Sequence, residues 1–153
     1  MGKKEKSILL SSGARRVRRI FLEWFFLKAI KNMPTTSKTI IPNRALSVRQ
    51  PFAEQIISGS KPIEYRSKPT TIRERVYIYA SRTLTTREKQ AYKKMKKEPG
   101  EFPVGVLVGT VEIIDCKKKP DEYQWKLANP KRLKKPIKPD NHPQPMWFKP
   151  FKE

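Results

Sequence analysis

One short stretch, residues 45–66, constrains the fold more than any other part of the chain, because it predicts a strand, a turn, a helix and a charged extended segment in immediate succession. Residues 45–48 are typical of a short apolar strand. Pro51 stands where the first turn of a helix tolerates a residue without an N–H. Apolar residues then recur at helical spacing over residues 52–57, and Gly59 ends the helix. We therefore expect the active or binding cleft here.

Three charged residues, Lys61, Glu64 and Arg66, follow this helix closely. Strict alternation along a strand would put Glu64 and Arg66 on one face and Lys61 on the other. Pro62 can break that alternation, so that all three side chains meet. A carboxylate flanked by two cations leaves a net positive site, whose donors suit a phosphate or the polar edge of a base. The alternative is an ion pair that only fixes a turn and adds little net stability.

Four further residues complete the candidate nucleic-acid site: Arg49, Gln50, Arg82 and Trp125. Arg49 and Gln50 lie near the start of the predicted helix, whose first N–H groups favour a nearby anion. Arg82 follows a predicted strand and is a rim candidate. Trp125 is typical of a core residue, and the alternative is that its ring stacks on a base at the rim.

The net charge favours a polyanionic partner. The chain has 35 Lys and Arg against 14 Asp and Glu, a formal charge of +21. The excess persists from Arg44 onward, so it is not confined to the N-terminal part. Such a field attracts polyanions and speeds encounter with them, which makes nucleic acid the first partner to consider. The alternative is that the charge only aids solubility.

A single cysteine, Cys116, and a single histidine, His142, exclude several classes of site. No intrachain disulfide can form, and the usual zinc sites and Ser-His-Asp or Cys-His hydrolase centres are ruled out. We therefore expect no metal and no cofactor, and any catalysis must use Lys, Arg, Glu, Tyr or hydroxyl groups. The lone cysteine and the lack of a usable signal peptide indicate a cytoplasmic location.

The charged residues also fit a known motif. Gly59, Lys61, Glu64 and Arg66 match the pattern G-x-K-x-x-E-x-R, and the sequence L-S-x-x-Q-P precedes them at residues 46–51. The likeness continues through residues 75–81, Phe102, Pro103, Gly105 and residues 109–116. On these residues the chain, over roughly residues 44–151, resembles the ASCH domain of the PUA-like group. It is most similar to the activating-signal-cointegrator type of that domain.

This resemblance implies a fold and a function. The fold would be α+β, a small mixed β-barrel with two or three helices over residues 44–153, preceded by a basic N-terminal helical extension and linker over residues 1–43. Lys61, Glu64 and Arg66 would line a cleft beside the barrel. Because related PUA domains bind RNA, the resemblance implies a module that binds RNA or single-stranded nucleic acid in RNA metabolism or transcription.

An enzyme is the alternative that the resemblance leaves open. ASCH proteins include nucleases and amidohydrolases that remove the acetyl group from acetylated cytidine. The amidohydrolase branch uses a Lys at the position of Lys61, a Thr three residues later and a Glu from a later strand. Here Glu64 replaces the Thr and Glu112 is the candidate acid, so Lys61 and Glu112 would be the catalytic pair. Hydrogen-bond contact between these two in a closed pocket would favour the enzyme, and an open basic groove would favour binding.

The rest of the domain predicts further strands and one helix. Thr85 and Glu88 form a capping box for a helix that continues to about Lys97. Gly105 and Gly109 predict sharp coiling or a bulge in the strand around them. The predicted strands are residues 76–81, 104–115, 123–127 and 146–148, the last of which returns to close the barrel, and residues 131–138 are predicted as a basic segment broken by Pro136.

The N-terminal part predicts a separate helix over residues 15–32. Glu23 and Lys28 interrupt its apolar run, which argues against a signal peptide and against a membrane span. The pattern favours an amphipathic helix that docks on the domain, on a partner protein or on an anionic surface. Because the family likeness starts only near Arg44, we also hypothesise that translation begins at Met33. The intact mass of the natively expressed protein would decide this.

Overall fold

The computed structural model describes residues 41–153 and, before them, Glu23, Trp24 and Lys28. The two groups belong to separate units of the chain, Met1–Thr39 and Ile40–Glu153. In the first unit the Lys28 Nζ lies 4.4 Å from the centroid of the Trp24 ring. Apart from these three residues, the helix predicted over residues 15–32 and the proposed start at Met33 lie outside the described residues.

Six strands and two helices form the second unit. They are β1 (Ala45–Arg49), α1 (Phe52–Ile57), β2 (Ile63–Arg66), β3 (Arg75–Ser81), α2 (Thr86–Lys94), β4 (Val106–Lys118), β5 (Tyr123–Ile137) and β6 (Trp147–Phe148). The strands make one sheet in the order β2-β5-β4-β3-β1-β6, in which β1 and β3 are parallel and the other neighbours are antiparallel. This mixed sheet forms a half-barrel, which confirms the predicted α+β class.

Strand β3 lies inside the sheet because both of its faces are apolar. Val76, Ile78 and Ala80 pack into the main core together with residues of α1. Tyr77 and Tyr79 point to the other face, into a second cluster. The predicted alternation along β3 is therefore confirmed, and a strand covered on both faces suits a parallel neighbour such as β1.

Gly109 allows α1 to lie close to the sheet. A Cβ added at Gly109 would stand 2.5 Å from Ile57 Cδ1 and 2.5 Å from the Lys131 carbonyl oxygen. The β3–β4 register shifts between Ile78 and Tyr79, next to this glycine, as the predicted bulge requires. Beyond α1, Gly59 turns the chain at a φ of +84°, and β2 begins soon afterwards.

Side chains, in place of backbone pairing, connect the two ends of the described sheet. Strand β6 returns as predicted, but it pairs with β1 and leaves β2 and β6 as the sheet edges. The Arg66 Nη2 on β2 donates to the Ser47 carbonyl on β1 at 2.8 Å. The rings of Trp125 and Trp147 stack with centroids 5.7 Å apart. We call these two contacts the barrel seam.

Helix α2 is shorter than the sequence predicts. It ends at Lys94 instead of Lys97. Lys96 takes a φ of +54°, and the Lys97 N–H donates back to the Tyr92 carbonyl at 3.1 Å. The chain therefore leaves the helix before it reaches the proline and glycine that were expected to stop it.

Strand β5 is longer than the sequence predicts, because it continues through Pro130 and Pro136 to Ile137. Its pairing with β2 runs only from Tyr123 to Lys126, so the later residues face no strand on that side. Prolines, which lack an N–H, are tolerated where a strand has an open edge or a bulge. The segment predicted as basic and broken by Pro136 is therefore part of the sheet as far as Ile137.

Candidate functional site

A cleft of about 780 Å³ opens beside the barrel seam. Strands β1 and β2, the end of β3, the start of α2 and parts of residues 138–146 line it. Six basic and two acidic side chains take part, namely Arg49, Lys61, Arg66, Arg82, Arg87 and Lys138 with Glu64 and Glu88. We call this hollow the basic cleft.

Lys61, Glu64 and Arg66 converge on its floor, as the sequence predicts. The Lys61 Nζ lies 2.5 Å from Glu64 Oε2, and the Arg66 Nε lies 3.0 Å from Glu64 Oε1. The Lys61 Nζ also donates to the Ile63 carbonyl at 2.5 Å. All three side chains are largely buried, with exposed fractions of 15%, 10% and 18% in chain order. We call these three residues the triad.

The triad is also part of the architecture. Arg66 makes the seam contact to Ser47, and its guanidinium lies 5.8 Å from the centroid of the Trp125 ring. Glu64 stands opposite Trp125 in the β2–β5 pairing. The triad therefore fixes the strand, and its two cations and one carboxylate leave a net positive charge at the cleft.

A second ion pair, between Arg49 and Glu88, also lines the basic cleft. The Arg49 Nη1 lies 3.3 Å from Glu88 Oε1, and Glu88 is only 1% exposed while Arg49 is half exposed. Glu88 also accepts hydrogen bonds from the Thr85 N–H at 2.7 Å and from the Thr85 hydroxyl, which confirms the capping box. Burial alone would raise the pKa of Glu88, but the hydrogen bonds from Thr85 and Arg49 outweigh it and hold this pKa below its usual value.

Glu88 is a cleft residue that the sequence did not single out. The capping-box pattern accounted for it completely, so nothing in the sequence marked it as a partner for Arg49. The order of the elements could have identified it. Helix α2 follows β3 directly, and the last residue of β3, Ser81, pairs with Arg49, so the start of α2 lies near Arg49.

Three basic side chains at the rim of the cleft are exposed: Arg82, Arg87 and Lys138. Arg82 lies over Gly105, where an added Cβ would come within 2.5 Å of the Arg82 Nε. The Arg87 guanidinium lies 5.1 Å from the centroid of the Phe52 ring. Within the part of the chain that the structure describes, none of the three has an acidic partner.

Tyr65 is the exposed aromatic side chain of the cleft. It is 40% exposed, and the Lys61 Nζ lies 5.3 Å from the centroid of its ring. Strict alternation along β2 puts Tyr65 on the face away from Glu64 and Arg66, so no local pattern marked it as a cleft residue. Because β2 is an edge strand, a side chain on its outer face still borders the hollow.

Two predicted contacts, Gln50 and Trp125, are structural residues and lie outside the cleft lining. Gln50 is 2% exposed, and its amide donates to the Pro103 carbonyl while its oxygen accepts the Glu54 N–H, both at 3.0 Å. Trp125 is fully buried, and its indole N–H donates to the Lys68 carbonyl at 3.0 Å. Both side chains are buried and hydrogen-bonded inside the protein, and a contact of either with nucleic acid stays a prediction from the sequence.

The catalytic pair predicted for the enzyme alternative does not form. Glu112 accepts hydrogen bonds from Asn129 at 3.0 Å and from Arg75 at 2.7 Å, and these lower its pKa. Lys61 instead pairs with Glu64, and Glu112 lies outside the cleft lining. Lys61 and Glu112 thus have different partners, and a joint catalytic role for them stays a prediction from the resemblance.

The residues that the structure describes hold neither a metal-binding cluster nor a helix that could span a membrane. Among them, no group of three or more His, Cys, Asp or Glu side chains is arranged to hold a metal ion. The helices in this part of the chain lack the length and apolar character that a membrane span requires.

These observations define a class of protein, a small half-barrel with a Lys-Glu-Arg triad on the floor of a basic cleft. The chain belongs to the ASCH domain family, whose model matches residues 46–138, more than half of its length. The family resemblance drawn from the motif is thereby confirmed.

Among curated proteins the chain is similar to Activating signal cointegrator 1. It is 36% identical to the Homo sapiens protein and 35% identical to the Mus musculus protein, each over 80 residues. Each alignment covers 46% of this chain and 14% of the relative, so the chain spans a small part of the length of those proteins.

Among solved structures the chain is similar to ASCH from Zymomonas mobilis. That crystal structure is 15% identical, with a TM-score of 0.48, and the match covers 69% of this chain and 85% of the other. A mutant of the same bacterial protein is 18% identical with a TM-score of 0.49, and the match covers 71% and 89%.

Proposed function

We propose that this domain binds RNA or another single-stranded nucleic acid in the basic cleft and serves RNA metabolism or transcription. The observation that carries the proposal is the charge of the lining. Both acidic side chains are already neutralised, Glu64 by the two cations of the triad and Glu88 by Arg49. Three exposed cations at the rim therefore face the cleft without an acidic partner among the described residues.

The rim and the floor would play different parts. Exposed Arg82, Arg87 and Lys138 can reach phosphates without breaking an ion pair of the described residues, so they supply the sequence-independent attraction. Lys61 and Arg66 are engaged below them and hold the floor positive. Tyr65 offers a ring face to an unpaired base, a contact worth about 1–3 kcal/mol per base in single-strand binding proteins. This favours a single strand, because a base inside a duplex is already stacked.

The cellular role follows from the family only as a proposal. The name Activating signal cointegrator belongs to the relatives and is consistent with an accessory role in transcription. A partner protein docked through residues 15–32 and a cytoplasmic location remain predictions from the sequence.

A charge-reversal pair tests the binding proposal. Arg82→Glu with Lys138→Glu removes two rim cations, and Lys118→Glu with Lys119→Glu makes the same charge change outside the cleft lining. At about 0.1 M salt we expect the rim variant to bind a single-stranded oligonucleotide roughly tenfold more weakly, with the slope of log K against log salt lower by about 1.4. The control should change affinity by less than about threefold. Equal losses in the two variants would reduce the proposal to bulk charge.

Turnover assays separate binding from catalysis. Acetylated cytidine and labelled RNA are incubated with the full-length protein beside the binding titration. We expect binding without turnover, because Lys61 is paired with Glu64 and lies apart from the proposed acid. Turnover that is lost in a Lys61 variant retaining the native unfolding transition would overturn a purely binding role.

A further inference from the structure

Strand β5 bulges strongly just before it reaches the cleft. Leu107 pairs with Ile137 and Gly109 pairs with Arg132, so two residue steps on β4 are matched by five on β5. The four intervening residues, 133–136, stand opposite Val108 alone and bow out from the ladder, as residues in a bulge must. We call them the β5 bulge. Leu133 packs against the second core cluster and anchors one end of it.

The β5 bulge presents two adjacent lysines to solvent. Lys134 and Lys135 are exposed, and no acidic side chain of the described residues pairs with either. By contrast, the neighbouring Arg132 is held by Glu54, with Nη1 and Oε2 3.0 Å apart. Two unneutralised cations side by side repel each other, and a polyanion would relieve that repulsion.

The bulge leads directly into the cleft wall. Lys138, which lines the cleft, follows Ile137 at the end of β5. Lys135 stands three residues before Lys138, and a fully extended chain would separate the two by roughly 10 Å at most. The cations of the bulge and of the cleft rim therefore follow one another along the chain at spacings that a single strand can bridge.

We propose that the β5 bulge is a second phosphate-binding surface, which holds a single strand where it leaves the basic cleft. The inference rests on the proposed function and extends it. It requires a nucleic-acid strand long enough to reach from the cleft to the β5 bulge. The cleft binds the first nucleotides through its rim cations and Tyr65, and Lys134 and Lys135 bind the backbone of the nucleotides that follow. The stacking platform lies inside the cleft, so the bulge contributes charge without base preference.

The experiment compares two lengths of uridine oligonucleotide on the full-length protein. One has about 4 nucleotides and the other about 12, which spans the range of single-strand site sizes per domain. The test variant is Lys134→Glu with Lys135→Glu, and Lys118→Glu with Lys119→Glu is the control with equal charge change. Affinities are measured at several salt concentrations, and thermal unfolding verifies that both variants fold.

We expect the bulge variant to bind the longer oligonucleotide at least about tenfold more weakly and to lower its salt slope by about 1.4, which corresponds to two phosphate contacts. Binding of the short oligonucleotide should stay within about twofold of the unmodified protein. Equal losses at both lengths, a loss matched by the control, or no loss at all would each overturn the inference. If the bulge inference fails in one of these ways but the short oligonucleotide still binds through Arg82 and Lys138, the proposed function of the cleft stands. If the unmodified protein binds neither length, both the cleft function and the bulge inference are overturned.

Discussion

Replacing Arg66 with alanine tests whether the barrel seam stabilises the domain. The change removes the hydrogen bond to the Ser47 carbonyl and the ion pair with Glu64. A hydrogen bond to a charged group contributes about 1.5–3 kcal/mol, and breaking a buried ion pair costs about 3–5 kcal/mol. Because Lys61 still neutralises Glu64 in the variant, the lower part of these ranges applies. We expect the free energy of unfolding to fall by about 2–3 kcal/mol.

Urea denaturation, followed by tryptophan fluorescence, measures this loss by linear extrapolation. Lys97→Ala is the control, because it removes an exposed pair with Glu101 at 2.9 Å, and such surface pairs contribute about 0.5 kcal/mol or less. Arg66→Lys keeps the charge but cannot make both contacts in the same geometry, so an intermediate loss is expected. If Arg66→Ala costs no more than Lys97→Ala, the seam is not a stabilising contact and the reasoning from burial is refuted.

Four further predictions follow from other parts of the domain. Gly109→Ala should lower the free energy of unfolding by about 1–3 kcal/mol, because its new methyl group would clash with Ile57 and with a strand carbonyl; a urea transition at the unmodified midpoint would contradict this. The pKa of Glu88 is lower in the folded protein than in the unfolded chain. The stability that its charge provides is therefore complete above the pKa of the unfolded chain, and it is lost as the pH falls through the pKa of the folded protein. Glu88→Gln should therefore flatten the acid limb of stability against pH, and an unchanged limb would count against the assignment. Tyr65→Ala should weaken single-strand binding by about 1–3 kcal/mol while Tyr65→Phe preserves it, as fluorescence titration can measure; equal affinities would remove the stacking contact. Deleting residues 15–32 should remove any partner protein from pull-downs without shifting the melting temperature of the domain, and an unchanged set of captured proteins would exclude docking through that segment.

The sequence was sufficient for the local elements and for the triad. Alternation identified β3, and a glycine turn after a short helix predicted where Lys61, Glu64 and Arg66 meet. These predictions succeeded because each depends on neighbours in the chain. The motif added the family and, with it, the half-barrel.

Features that depend on distant residues could not be read in this way. The course of β5 through two prolines is set by where β2 stops pairing, which no local pattern records. Gln50 and Trp125 have polar groups that suit a ligand, but the structure satisfies them internally with the Pro103 and Lys68 carbonyls. The resemblance made Glu112 the candidate acid for Lys61, yet Arg75 and Asn129 engage it outside the cleft lining.

The contact between Arg66 and Ser47 makes the floor of the cleft and the closure of the barrel depend on the same guanidinium. An anion that draws Arg66 toward itself must compete with the Ser47 carbonyl, so tight binding at the floor weakens the side-chain link between β2 and β1. Ligands held mainly by the rim cations leave the contact between Arg66 and Ser47 intact. Urea unfolding with and without ligand would reveal the competition, since a floor-bound anion should stabilise the protein less than its affinity alone predicts.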